Sequence, residues 1–116
     1  MEKKRILMVC EAFGGGVFTY VSQLCNDMVD EFDVYLAYSL RPQTPKNYTD
    51  FLDQRVHLIE MENVGVKGLT NLKSDIAAIK ELRQIEKDVQ PDVIHLHSSV
   101  AGGLGLLAYK GKNLSL

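Results

Sequence analysis

The chain has 116 residues, of which 46% are hydrophobic and 24% charged, with 13 Lys and Arg against 15 Asp and Glu and a formal net charge of −2. That balance excludes a strongly basic nucleic-acid binder, and no Pro, Gly or Ser-dominated tract marks disorder. One domain of this size buries roughly 65% of its extended-chain surface, enough for a core.

The charged start, Met1 to Arg5, precedes an apolar run of only Ile6 to Cys10, too short for a signal-peptide core or a membrane span. Apolar at every position, that run fits a strand covered on both faces in a parallel sheet. Gly14-Gly15-Gly16 ends it. Val17, Tyr20, Val21, Leu24 and Met28 then recur at helical spacing and predict a helix over about 16–30 with one apolar stripe. Phe32 to Ser39 reads as a second strand and Val56 to Met61 as a third. In the connection between them, Pro42 and Pro45 interrupt the chain, while Tyr48, Phe51 and Leu52 are spaced for a helical turn or two over the sheet edge. Asn63 to Asn71, with Gly65 and Gly68, predicts a loop.

Leu72, Ile76, Ile79, Leu82, Ile85 and Val89 hold helical spacing over some eighteen residues. Pro91 follows, and Asp92 to His97 predicts a fourth strand. A last helix over about 100–109 is expected before Gly111, and Leu114 and Leu116 read as the start of a further element. Strands alternating with helices imply an α/β, Rossmann-like parallel sheet with right-handed crossovers, most simply in the order 3-2-1-4. The order reverses between strands one and four, and such sheets bind ligands beyond the carboxyl ends at that point.

Several residues fall there. Three glycines at a strand-to-helix turn admit positive φ and leave backbone amides facing a phosphate; the same glycines could instead serve turn geometry alone. The dinucleotide fingerprint fails because Thr19 stands at its last glycine, and no Gly-Lys-Ser/Thr supports a Walker loop. His95 and His97 share one face of the fourth strand, and His97, nearer the carboxyl edge, is the better candidate to meet a ligand, although a strand histidine is commonly a core residue. Two histidines without thiolate or carboxylate neighbours give little basis for a metal, and no metal or cofactor is expected. Cys10 and Cys25 sit inside apolar patterns without metal or disulfide spacing, which fits a reduced, cytoplasmic setting. Ser98 could cap the last helix or touch a ligand. Glu11, just past the first strand, and Arg41, just past the second, are either solvated loop residues or ligand contacts.

Taken together, Cys10-Glu11-Ala12-Phe13-Gly14-Gly15-Gly16-Val17-Phe18-Thr19, the Arg41-Pro42 connection, and Pro91-Asp92-Val93-Ile94-His95-Leu96-His97-Ser98-Ser99 followed by Ala101-Gly102 resemble the N-terminal part of a family 4 (group 1) glycosyltransferase of the GT-B fold. The nearest kinds are bacterial enzymes of capsule and exopolysaccharide assembly. The resemblance covers nearly the whole chain as one partial acceptor-side domain, 1–116, with the C-terminal donor-binding domain absent. It implies retaining transfer from a nucleotide sugar to a surface-polysaccharide or lipid-linked acceptor. The Gly14 to Gly16 turn would lie by the donor phosphates and His97 by the transferred sugar, while Glu11, Arg41 and Ser98 are further candidate substrate contacts. Val100 and Leu106 depart from the lysine and arginine common in such sequences. The fragment is expected to be inactive alone, to self-associate through an unpaired sheet edge, and to sit in the cytoplasm, with contact at the inner membrane face where the acceptor is lipid-linked. The alternative is a non-catalytic Rossmann-like module that binds a phosphorylated small molecule.

Overall fold

A computed structural model describes residues 3–63, 72–97 and 114–115, with backbone only at 72–75 and 114–115. In chain order the elements are β1 (Lys4–Phe13), α1 (Gly15–Met28), β2 (Phe32–Leu40), a 3-10 turn (Tyr48–Phe51), β3 (His57–Glu60), α2 (Leu72–Val89), β4 (Val93–Leu96) and β5 (Leu114–Ser115). The strands form one sheet in the order β3-β2-β1-β4-β5, and every pairing is parallel. The expected 3-2-1-4 arrangement holds, with β5 added beside β4. The edge that the sequence leaves bare is therefore paired at Ile94 and His95, in register with Leu114 and Ser115. Pairing with β5 leaves β3 and β5 as the outer strands of the described sheet. The expected helix over 100–109, and the expected loop over 63–71 apart from Asn63, lie outside the described residues.

The central strand shows why the sheet forms. Ile6, Met8, Cys10 and Phe13 face α1, whereas Leu7 and Val9 face α2, so the uninterrupted apolar run feeds two cores in alternation. On the α2 side Ala78, Leu82, Ile85 and Val89 cover Leu7, Val9, Ala37, Ile94 and Leu96. On the α1 side Phe18, Val21, Cys25 and Val29 cover Met8, Cys10, Val34 and Leu36. The stripe expected to face inward from α1 is turned: of its members Val21 is buried as expected, but Val17 and Tyr20 are exposed, and Leu24 and Met28 only partly buried. Two apolar rows run along this helix, and Phe18 with Cys25 fits the sheet better than Val17 with Leu24, because Phe18 joins the ring cluster of Phe13 and the turn at Phe51. On α2, Ile76 is likewise exposed.

Polar contacts fix the ends of both helices. Lys3 Nζ donates to Val29 O at 2.8 Å, just past α1, and Arg5 Nη1 donates to Val89 O at 2.9 Å, the last residue of α2. Cations at helix carboxyl ends satisfy orphan carbonyls and complement the macrodipole. Gln90, with φ 51°, turns the chain out of α2 before Pro91. Burial pushes the Cys10 and Cys25 thiols up to about 12, and both cysteines are free. Truncating the fully buried Leu82 to alanine is expected to cost about 2–5 kcal/mol in urea denaturation, because it empties the centre of the α2 core.

Candidate functional site

The sheet order reverses between β1 and β4, and the turn after β1 and the residue after β4 meet the same rim. Each glycine of the turn has its own setting. Gly14 is extended, with φ −158°, and its amide donates to Ala12 O at 2.9 Å. A Cβ placed on it would lie 3.0 Å from Gln43 Cβ and 3.3 Å from the Gln43 carbonyl carbon and the Thr44 nitrogen. Gly15 opens α1 at φ 57°, a left-handed conformation that disfavours any side chain. Gly16 has neither constraint: its φ is not positive and a Cβ there meets nothing within 4 Å. Packing accounts for the first glycine and backbone geometry for the second. The third keeps open space at the amino end of α1, where the helix has no side-chain cap and no acidic residue in its first turn. Uncapped amides with the positive helix end behind them suit an anion.

The Arg41 connection is clasped to this turn. The Thr44 hydroxyl donates to Phe13 O and accepts from the Arg41 amide at 2.9 Å, and the Thr44 amide donates back to Arg41 O at 2.9 Å. Arg41 is partly buried directly after β2, as expected, on a turn packed against Gly14. Sequence reasoning passed over Thr44, although a threonine three residues after Arg41 and just before Pro45 is a side-chain turn signal. Glu11 differs from the solvated loop acid that the sequence allows. It lies within β1 and is 7% exposed, because β1 runs on to Phe13 through an irregularity in its pairing with β2 between Cys10 and Phe13. Ser98 lies outside the described residues.

His97 extends β4, its amide donating to Val9 O at 2.9 Å. Ile94 and Leu96 belong to the α2 core, so the alternation turns His95 and His97 to the α1 side. The two imidazoles are tilted against each other with centroids 4.1 Å apart, and Tyr20 of α1 meets His97 edge-on at 6.4 Å. The stripe residue expected in the core thus stands 63% exposed beside the imidazole. His97 Nε2 is buried and has no hydrogen-bond partner among the described residues. Burial, reinforced by the neighbouring His95, holds the ring down at about 4, so it is neutral near pH 7. A neutral imidazole both accepts and donates hydrogen bonds, which suits sugar hydroxyls. Among the described residues no group of three or more His, Cys, Asp or Glu side chains could hold a metal.

Residues 14–115 match the family described as Glycosyltransferase Family 4. The chain belongs to Glycosyltransferase Family 4. Its fold is similar to that of a solved GT-B enzyme, the lipopolysaccharide outer core galactosyltransferase WaaB in its apo form, with a TM-score of 0.64 at 12% identity. The alignment covers 95% of this chain and 32% of that one, so the chain spans about a third of the galactosyltransferase's length. No curated protein matches the sequence. In this Family 4 chain the sequence-level resemblance and the parallel sheet agree.

Two outcomes test the site's physical basis. Gly15→Ala should cost about 1–2 kcal/mol through its left-handed φ, whereas Gly16→Ala should gain roughly 0.5–1 kcal/mol from helix propensity, both by chemical denaturation. For His97 the folded value lies below the ordinary 6.5. The unfolded chain therefore takes up the proton first, and stability present above about pH 6.5 is lost as pH falls toward 4. Replacing His97 with Asn should flatten the decline in urea midpoint across that window.

Proposed function

We propose that this domain is the acceptor side of a retaining glycosyltransferase that moves a sugar from a nucleotide sugar to a surface-polysaccharide or lipid-linked acceptor at the cytoplasmic face of the membrane. The observation that carries the reading is the pairing, at one sheet rim, of an open uncapped helix start at Gly16 with the neutral imidazole of His97, whose Nε2 has no hydrogen-bond partner among the described residues. The family supplies the reaction class, and the galactosyltransferase named above acts on lipopolysaccharide outer core.

In this reading the amides following Gly14 face the donor diphosphate, where negative charge grows as the glycosidic bond breaks. Preorganised amides stabilise such charge without reorganising. His97 accepts or donates a hydrogen bond to a hydroxyl of the transferred sugar and so orients it beside an oxocarbenium-like centre. The Arg41 turn and Glu11 frame the crevice on the β2 side. A polypeptide of these 116 residues offers one wall of such a site, and rate acceleration depends on holding donor and acceptor together. Accordingly it should transfer no sugar by itself from any nucleotide sugar. Uridine diphosphate at millimolar concentration should nevertheless shift the amide resonances of Gly14 to Val17, and Gly16→Val should abolish those shifts while leaving the fold intact. Sugar transfer by the isolated polypeptide, or an unresponsive glycine turn, would overturn the proposal.

A further inference from the structure

A second recess lies on the flank of α1 away from His97. It encloses about 260 Å³ between α1 and the 3-10 turn and is lined by Phe18, Thr19, Ser22, Gln23, Asn26 and Phe51. That volume approaches the lower end of small-molecule sites, roughly 300 Å³. The four polar residues follow the i, i+3, i+4, i+7 spacing of one helix face, so a polar row looks into the recess, with Thr19 and Gln23 exposed, Asn26 partly buried and Ser22 buried.

Its walls are built and held. Asn26 uses both ends of its amide on the opposite wall, donating to Phe51 O at 2.9 Å and accepting from the Asp53 amide at 2.8 Å. This clamp presents the Phe51 ring, 51% exposed, edge-on to Phe18 at 5.6 Å. Ser22 is only 4% exposed, and its Oγ has no hydrogen-bond partner among the described residues. A helical serine ordinarily returns its hydroxyl to the carbonyl four residues back, and a buried hydroxyl left unmade is costly. Gln23 adds an exposed amide that both donates and accepts. No charged side chain lines the recess among the described residues, which disfavours phosphate or carboxylate ligands.

We propose that this recess is a pyranose-binding subsite that takes one ring of a neutral glycan, with the sugar's apolar face on Phe51 and its hydroxyls on Ser22 and Gln23. A pyranose carries the two surfaces that the recess offers, a patch of C–H groups and a rim of hydroxyls, and aromatic side chains serve ligands that are apolar on one face and wet on the other. A staggered rotation about χ1 redirects the Ser22 hydroxyl at little cost. The inference deepens the acceptor-side reading and rests on it for its biological sense: a second contact on α1 would grip the acceptor chain at a point separate from the reacting crevice.

Amide resonances of the 116-residue chain, titrated separately with cellobiose, lactose, N,N′-diacetylchitobiose and uridine diphosphate, distinguish the two sites. At least one disaccharide should shift Thr19, Ser22, Gln23, Asn26 and Phe51, and Phe51→Ala or Gln23→Ala should weaken that disaccharide at least 5-fold. Ser22→Ala should weaken it as well without lowering Tm, because the hydroxyl makes no internal bond among the described residues; a lowered Tm would assign Ser22 a structural role and overturn its place in the subsite. Failure of all three disaccharides to shift the recess, or sugar shifts confined to Gly14 to Val17 and His97, would overturn the subsite. The uridine diphosphate response of the glycine turn then decides the acceptor-side reading independently.

Discussion

The parallel pairing of β1 on both of its edges is the constraint on which the rest depends. Ile6 is in register with Val34 on one side and Val93 on the other, so β1 sits at the centre of the sheet and the chain reverses its order there. Because all neighbours run the same way, the turn after β1, the Arg41 turn after β2 and His97 after β4 emerge at one rim. Each functional candidate inherits its position from that arrangement. Its immediate surroundings then set its chemistry: Gly16 by what it does not touch, His97 by burial beside a second imidazole.

The division of labour among the glycines sharpens the functional argument. A run of three invites the explanation that a tight turn needs flexible residues. Here that explanation is used up by Gly14, which lets Gln43 approach, and Gly15, which adopts positive φ. Gly16 sits in a helix, where glycine is an unfavourable choice that a ligand approaching the backbone would justify. The neutral imidazole nearby has a comparable character, since its buried Nε2 finds no hydrogen-bond partner among the described residues and a buried nitrogen left without a hydrogen bond is costly.

Much of this was legible in the sequence. The all-apolar run Ile6 to Cys10 fits the two-faced strand that it forms, and the long periodic stretch from Leu72 to Val89 matches α2. The rotation of α1 was not legible, because Val17, Tyr20 and Leu24 satisfy helical spacing around Val21 as well as Phe18 and Cys25 do. Only the three-dimensional ring cluster around Phe13 chooses between them. Burial of Glu11 was hidden for a related reason: β1 continues through an irregular pairing that residue pattern does not announce. The recess beside Ser22 was hidden because its far wall comes from Phe51, positioned by an asparagine clamp between residues distant in sequence.

The central place of β1 also shapes how the protein is made. Its first partner, β2, follows after a single helix, but its second, β4, begins at Val93. On a translating ribosome producing ~5–20 residues per second, the interval from Leu40 to Val93 leaves one edge of the central, buried strand bare for roughly 3–10 s. During that wait a nascent chain exposes a strand edge suited to chaperones or to other nascent chains, and pairing with β4 covers it.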